Sequence, residues 1–254
     1  MPRCCFLDLF PVELLHTLFT YFLAYEIFLN FSDVSDYVSS ILLTYSAYQL
    51  DFKGIRKSNF NLICRRIQPH QVISLTISDN DDTPCQSELF FSHFRIEQFT
   101  HLQSIKLIMI DVESSKSIFT NLYMLKQLCS FSFDRESVRC KYPEWNHSNR
   151  DTFNQLDLLL IDVYSRLIPQ LDRLHLNSGN ILRSISLSRL RHLRLKECSL
   201  DDLETIFRKA SQLKSLQICH ILIKPNVNIN LTSIQLTRLN LSVNCEYFSI
   251  SITN

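Results

Sequence analysis

Residues 190–200 read LRHLRLKECSL, and this stretch has the spacing of a short β-strand with one buried face. Leu193 and Leu195 stand two positions apart, and the basic residues Arg194 and Lys196 alternate with them. Neighbouring side chains of a strand point to opposite faces of the sheet. We therefore expect the two leucines to point into a core and the two basic side chains to point outward.

The same spacing, apolar-x-x-apolar-x-apolar, recurs along the chain. The instances are Val72/Leu75/Ile77, Leu102/Ile105/Leu107, Leu128/Phe131/Phe133, Leu171/Leu174/Leu176, Leu190/Leu193/Leu195, Leu213/Leu216/Ile218 and Leu236/Leu239/Leu241. Their starting positions differ by 30, 26, 43, 19, 23 and 23 residues, and the last three intervals are close to the period of about 20–29 residues that leucine-rich repeats have. Cys198, Asn80 and Asn244 occupy the position that this repeat reserves for Asn or Cys. The pattern predicts an irregular leucine-rich-repeat solenoid, with parallel strands on its concave face and helices on its convex face.

A helix is expected to return the chain between successive strands. The clearest candidate is Asp201–Gln212, which has acidic residues near its start, basic residues near its end and an apolar stripe at helical spacing. Similar helices are predicted at Gln86–Arg95, Glu113–Tyr123 and Thr152–Leu167. The longest interval is predicted to contain an irregular repeat with a loop around Lys141–Arg150.

The most hydrophobic stretch, Leu14–Phe31, allows two interpretations. Its length and low charge suit a membrane anchor, which would make the chain a membrane-anchored repeat receptor. His16 and Glu26 lie inside the stretch, however, and Arg3 is the only basic residue before it, so the positive flank of a targeting segment is missing. Because its apolar residues recur at helical spacing, we favour a buried amphipathic helix.

The segment around this stretch, Leu9–Leu42, resembles an F-box. The Leu-Pro-x-Glu-Leu-Leu core of that motif corresponds to FPVELL at residues 10–15, its apolar-Phe-x-x-Leu stretch to LFTYF at 18–22, and its Val-Ser step to residues 34–35. The chain departs from the family at Phe10, where leucine is usual, and at 36–38, DYV, where a basic residue and tryptophan are usual. An F-box followed by leucine-rich repeats is the layout of a large class of F-box proteins, and the chain resembles those of rotifers.

The resemblance implies a function in ubiquitin transfer. The F-box would bind a Skp-type adaptor of an SCF-type (cullin–RING) ubiquitin ligase, and the repeats would bind a protein substrate that is modified on other subunits. The residues carried over for adaptor binding are Phe10, Pro11, Leu14, Leu15, Leu18, Phe19 and Phe22. The alternative is a non-ligase protein-interaction scaffold, in which the same side chains pack onto the repeats as the N-terminal cap that solenoids need.

The fold prediction is therefore an α/β protein in two parts. A small helical F-box-like module is expected over residues 1–50, and the leucine-rich-repeat domain over residues 51–254. The segment Leu50–Gln71 is predicted to form a short strand and then a helix that holds Leu62, Ile63 and Ile67.

Target contacts are predicted at outward strand positions. The candidates are Lys106, Arg173, His175, Arg194 and Lys196, with Gln217 and Asn240 also facing outward. Arginine matches carboxylate and phosphate oxygens bidentately, so an acidic or phosphorylated segment would suit this surface. The alternative is that these residues form an ordinary solvated strand face.

Composition excludes several other classes of protein. The formal net charge is +1, so the chain lacks the strong positive charge that attracts nucleic acid. The chain has only 2 glycines, which excludes a Gly-rich phosphate-binding loop. The 9 cysteines include no Cys-x-x-Cys pair, which favours free thiols in a reducing compartment. We expect a cytoplasmic or nuclear protein that is not an enzyme, with no catalytic, cofactor or metal site and no nucleic-acid or membrane partner.

Overall fold

The structure is a computed structural model that describes residues 5–80, 84–133, 148–222, 230–231, 237–241 and 251–252. These residues form an α/β protein in which parallel strands alternate with helices. The chain divides into two compact units: the first comprises Met1–Ile108 and Met124–Gln127, and the second Met109–Tyr123 and Leu128–Asn254. The predicted boundary near residue 50 stays a prediction.

The first unit begins with three short helices and continues with strands and helices in alternation. Its elements are α1 (Val12–Phe19), α2 (Ala24–Phe31), α3 (Asp36–Thr44), β1 (Tyr48–Asp51), α4 (Lys57–Arg66), β2 (Val72–Ser78), α5 (Gln86–His93) and β3 (Ser104–Ile108), with 3-10 turns at Phe6–Leu9, Pro69–Gln71 and Ile96–Gln98. The strand and helix predicted within Leu50–Gln71 correspond to β1, which already begins at Tyr48, and α4, which holds Leu62 and Ile63 but ends at Arg66, so that Ile67 follows the helix in extended conformation. The three strands are parallel, and Leu50, Leu75 and Ile105 form a buried row across them.

The second unit continues the same alternation. Its elements are α6 (Val112–Leu122), β4 (Ser130–Phe133), α7 (Ser148–Leu167), β5 (Arg173–Ser178), β6 (His192–Ser199), α8 (Leu200–Lys209), β7 (Ser215–Leu222), β8 (Asn230–Leu231), β9 (Arg238–Leu241) and β10 (Ser251–Ile252), with 3-10 turns at Ile168–Gln170 and Asn180–Ser184. Strands β4, β5, β6, β7 and β9 pair in that order, all parallel, and β8 pairs separately with β10. Phe131, Leu174, Leu193 and Leu216 form a buried row across β4–β7.

The strand positions predicted from the repeated spacing are confirmed. Each instance of the motif coincides with one of β2–β7 or β9, and in β2–β7 its last two apolar residues are buried. Leu236 and most of the predicted 141–150 loop lie outside the described residues. The four predicted return helices are confirmed as α5, α6, α7 and α8, with ends that differ by up to four residues. Between β5 and β6 the interval is short, and a 3-10 turn takes the place of a helix.

The single helix predicted over Leu14–Phe31 is wrong, because the structure has two helices there. The chain leaves α1 through 3-10 hydrogen bonds, from Thr20 N to Thr17 O at 3.2 Å and from Phe22 N to Phe19 O at 3.1 Å. It then starts α2 at Leu23, whose N–H donates to Glu26 Oε2 at 2.8 Å. Glu26 thus satisfies a donor at a helix start, a role that the apolar pattern does not reveal.

Polar residues at the carboxyl ends of strands start the helices that follow. Asp111 accepts hydrogen bonds from the N–H groups of Glu113 and Ser114 at 2.9 and 3.0 Å. Ser199 and Asp202 form a capping box, with 3.2 Å from Asp202 N to Ser199 Oγ and 3.2 Å from Ser199 N to Asp202 Oδ2. Such residues satisfy N–H groups that have no partner within the helix. Cys198 was predicted to lie where the chain turns after its strand. It is buried, and its thiol donates to the Ser199 carbonyl at 3.3 Å.

Candidate functional site

Helix α1 contains most of the residues predicted to bind an adaptor, and Pro11 starts it. The Pro11 carbonyl accepts from Leu14 N at 3.1 Å and from Leu15 N at 3.2 Å. Proline suits this place because it has no N–H to leave unsatisfied and its φ of −63° leads into the helix. The sequence FPVELL therefore spans the start of α1.

The predicted adaptor-binding residues divide into exposed and buried positions. Leu15 and Phe19 are 0% exposed, so both belong to the core of the first unit. Leu14 is 47% exposed, and Pro11 is exposed as well. Phe10, Leu18 and Phe22 are partly exposed. A partner that docks on α1 without rearranging it therefore meets Phe10, Pro11, Leu14, Leu18 and Phe22, while Leu15 and Phe19 hold the helix in place.

An aromatic cluster holds α1 against the rest of the first unit. The ring of Phe19 is 5.3 Å from that of Phe31 and 5.4 Å from that of Tyr45, both edge to face. Phe22 lies 5.7 Å from Phe31 in the same arrangement. Such aromatic pairs stabilise the fold by more than their buried area alone accounts for. They orient α1, so that the side of the helix with Leu14 is the exposed one.

A polar contact holds the residues before α1 against α3. Ser35 Oγ donates to Asp8 and also accepts from Val38 N at 3.1 Å, which makes Ser35 the N-cap of α3. Tyr37 Oη donates to the Phe10 carbonyl at 2.8 Å. Ser35 belongs to the Val-Ser step of the F-box-like pattern, and Tyr37 stands where the chain departs from the family. Both therefore have a structural role in placing Phe10.

The sequence prediction missed several exposed apolar residues beside α1. Phe6 and Leu9 are 69% and 70% exposed, and Val12 and Val34 are exposed too. With Leu14, the residues Phe6, Leu9 and Val12 form an apolar series along residues 6–14, which we call the N-terminal apolar surface. The sequence feature that could have indicated these residues is the run of apolar residues before Pro11. Whether those residues are buried depends on the 3-10 turn at Phe6–Leu9, which the sequence does not reveal.

The predicted target-binding residues lie on outward strand positions. Lys106 is exposed on β3 of the first unit, opposite Thr76 of β2. In the second unit, Arg173 and His175 are on β5, and Arg194 is opposite His175 on β6. Lys196 follows on β6 at a partly exposed position. The structure thus brings Arg173, His175, Arg194 and Lys196 together on two adjacent strands.

Two further basic residues on this face were missed by the sequence prediction. His192 is opposite Arg173, and Arg238 lies on β9 opposite Ser215 of β7. Burial, followed by the positive charges of Arg173 and Lys214, lowers the pKa of His192 below its usual value. The lowered pKa favours the neutral imidazole of His192 at pH 7.

A polar cleft of about 370 Å³ lies in the first unit. Its lining residues are Leu23, Tyr25, Asp51, Lys53, Gly54, Ile55, Arg56 and Asn59. Asp51 Oδ1 accepts from Lys53 N at 2.9 Å, and Gly54 follows with a φ of +67°. Asp51 and Gly54 form the tight turn after β1. The polar residues of the cleft at this point therefore serve the turn.

The fold and these surfaces define an α/β protein of alternating parallel strands and helices. No protein-family model matches the chain, and no curated protein is similar to it in sequence. Within the described ranges, no helix has the length and apolar character to span a membrane. The same ranges contain no cluster of three or more His, Cys, Asp or Glu side chains that could hold a metal ion.

Proposed function

We propose that this chain is the substrate-recognition subunit of an SCF-type cullin–RING ubiquitin ligase. In this proposal residues 1–50 form an F-box-like helical module that binds a Skp-type adaptor, and residues 51–254 form a leucine-rich-repeat solenoid that binds the target protein. The chain itself carries out no chemistry and needs no cofactor, because ubiquitin transfer takes place on other subunits. It acts in the cytoplasm or nucleus, without a nucleic-acid or membrane partner.

The observation that supports adaptor binding is the N-terminal apolar surface. Four large apolar side chains within residues 6–14 are exposed, whereas Leu15 and Phe19, which follow on the same helix as Leu14, are fully buried. Burying an exposed leucine or phenylalanine in full contributes about 1.5–3 kcal/mol, so covering these side chains favours association. An apolar helical face with few charges is typical of the core of a protein–protein interface.

The observation that supports a target-binding solenoid is the repeated strand and helix. Seven strands coincide with the leucine-rich-repeat spacing, and four helices return the chain between them. Stacked repeats of this kind present extended surfaces that bind proteins.

The second candidate, a non-ligase scaffold capped by its N-terminal helices, also has a specific observation in its favour. Helix α2 packs on β1, where Phe28 stacks on Tyr48 at 5.1 Å. Gln71 Nε2 donates to the carbonyls of Leu43 and Tyr45 at 2.8 and 2.9 Å. Helix α2 thus covers the first strand of the first unit, and Gln71 ties the end of α3 to the segment before β2, as expected of a cap. Capping and adaptor binding use different faces of these helices and are compatible.

The test is a binding measurement between the full chain and a purified Skp-type adaptor. We expect the wild-type chain to bind and Leu14→Asp to bind at least about tenfold more weakly, because the substitution places a carboxylate in an apolar interface. Leu14 is suitable because it is half-exposed, so the variant leaves the core intact; Phe19 is not suitable, because it is buried.

The matched control is Leu89→Asp, which changes a similarly exposed leucine on α5, outside the N-terminal segment that contains α1–α3. It is expected to bind the adaptor as the wild type does, and circular dichroism should show the same fold for all three proteins. Absence of binding by the wild-type chain at micromolar adaptor would rule out the ligase proposal and leave the capped scaffold. Equal loss in both variants would show that the N-terminal apolar surface is not the binding site.

A further inference from the structure

The outward side chains of β4, β5, β6, β7 and β9 form two rows across the sheet of the second unit, and we call these rows the outward face. The first row is Ser130, Arg173, His192, Ser215 and Arg238, and the second is Ser132, His175, Arg194, Gln217 and Asn240. In both rows neighbouring residues are register partners on adjacent strands. The rows therefore form a continuous polar surface of known order.

Positive charge is concentrated on the outward face. Arg173, Arg194 and Arg238 are exposed, and none of them forms an ion pair with a carboxylate in the described part of the chain. Arg191 and Lys214, also exposed, directly precede β6 and β7. Neither row contains an acidic residue, and Asp172, which directly precedes β5, is the acidic counterpart of Arg191 and Lys214. The whole chain is nearly neutral, with a net charge of +1.

The spacing of the arginines distinguishes between ligands. With strands about 4.8 Å apart and residues about 3.3 Å apart along each strand, Arg194 lies about 8 Å from Arg173, and Arg238 lies about 14 Å from Arg173 and about 12 Å from Arg194. A single phosphate group is smaller than these separations. In an extended peptide, by contrast, carboxylates two and four residues apart are separated by about 7 and 13 Å, which is the range of these three separations.

We infer that the outward face binds an extended acidic segment of a partner protein, in which Glu or Asp residues recur at intervals of two to four positions. Arg173, Arg194 and Arg238 each pair with one carboxylate, which a guanidinium can contact bidentately. Between them, Ser215, Gln217 and Asn240 offer hydroxyl and amide groups to the peptide backbone. This acidic segment specifies the kind of target in the proposed function. The binding depends on that proposal only for the statement that the segment belongs to a ligase substrate.

A nucleic acid is the less favoured occupant of this face. Its affinity comes from many phosphate contacts along a basic surface, whereas the two rows contain three arginines among neutral serine, glutamine and asparagine side chains. Their separations match several discrete charges better than a continuous line of phosphates.

The test uses fluorescence polarisation with the full chain and a labelled peptide of alternating Glu and Ser. We expect binding of this peptide and none of its Gln-for-Glu counterpart. Arg173→Gln and Arg194→Gln are each expected to weaken binding roughly fivefold or more, and the combination with Arg238→Gln to abolish it. The control is Arg208→Gln, which removes the same charge from an exposed position on α8 and is expected to leave the affinity unchanged.

Several outcomes would overturn the inference. They are no binding of the Glu peptide, an equal loss of affinity in Arg208→Gln, binding only of a phosphoserine peptide, and tighter binding of single-stranded RNA or DNA of equal charge. The adaptor measurement keeps the two proposals apart, because Arg194→Gln leaves the N-terminal apolar surface untouched. Loss of peptide binding with adaptor capture intact would overturn this inference alone, and the reverse result would overturn the ligase proposal alone.

Discussion

At the scale of single residues, Asp202 shows how one buried carboxylate connects several parts of the second unit. It is 4% exposed, and it accepts hydrogen bonds from Arg183 Nε and from Ser199 Oγ, the latter at 2.6 Å. Burial favours the protonated form, but the hydrogen bonds from Ser199 and Arg183 outweigh it and lower the pKa of Asp202 below its usual value. The ionised form is therefore the one that stabilises the fold.

This arrangement predicts a pH-dependent effect of Asp202→Asn. Because the folded pKa lies below the unfolded value of about 3.9, the carboxylate stabilises the fold fully above about pH 4, and this contribution is lost as the pH falls through the folded pKa. We expect Asp202→Asn to lower the free energy of unfolding by about 1–3 kcal/mol at pH 7, since it weakens a buried hydrogen-bonding group. Urea unfolding from pH 7 to pH 3 should show the difference shrinking below about pH 4.

The neighbouring Asp201 supplies the control for that measurement. Its side chain is 73% exposed, and its Oδ2 lies 3.9 Å from Arg183 Nη2. Exposed ion pairs contribute little, so Asp201→Asn is expected to change the free energy of unfolding by less than about 0.5 kcal/mol at any pH. A loss as large as that of Asp202→Asn would mean that overall charge, and not the buried contact, determines the effect.

At the scale of secondary-structure elements, the start of α6 depends on one side chain. Asp111 accepts from two N–H groups that have no partner within the helix. We expect Asp111→Ala to lower the free energy of unfolding by about 1 kcal/mol, because these donors lose their acceptor. Asp111→Asn keeps an oxygen at the same place and should recover most of the loss. Urea unfolding of the two variants checks this, and equal losses would contradict a capping role.

The positions of the strands could be predicted from the sequence, but the helix breaks and the exposed faces could not. Two-residue alternation fixes which side chains a strand buries, so Leu193 and Leu195 were assigned correctly. Leu14 and Leu15 look equivalent in an apolar run, yet one is half-exposed and the other fully buried. The difference depends on the ring contacts of Phe19 with α2 and with Tyr45, which are long-range packing.

Close tertiary contacts are equally invisible in the sequence. Gly179 has an ordinary helical backbone, but a Cβ atom there would lie 3.1 Å from Asp202 Cβ and 3.3 Å from Cys198 Sγ. This glycine therefore permits a close approach of the segment after β5 to β6 and α8. The two rows of the outward face depend in the same way on strand register, because the irregular intervals between motifs do not show which outward residues are neighbours.

At the scale of the whole molecule, the cysteines are expected to be free thiols that form no disulfide. Cys5, Cys64, Cys85, Cys198 and Cys219 are free thiols. Burial raises the pKa of Cys198 to about 12 and that of Cys64 to about 11, while Cys85 is exposed. Since the thiolate is the reactive form, burial of the first two suppresses their reaction as well as their access.

We therefore predict that a thiol reagent at pH 7.5 modifies Cys85 early in the folded chain and reaches Cys198 and Cys64 only after unfolding. Denatured, unreduced protein should consume nine equivalents, one for each cysteine in the sequence, as counted by mass spectrometry. Cys85→Ser should remove the early modification and leave the rest unchanged. A reductant is expected to leave the unfolding midpoint unaltered, because packing of the repeats and not cross-linking stabilises the fold. Fewer than nine reactive thiols in the denatured chain would reveal a disulfide and contradict this account.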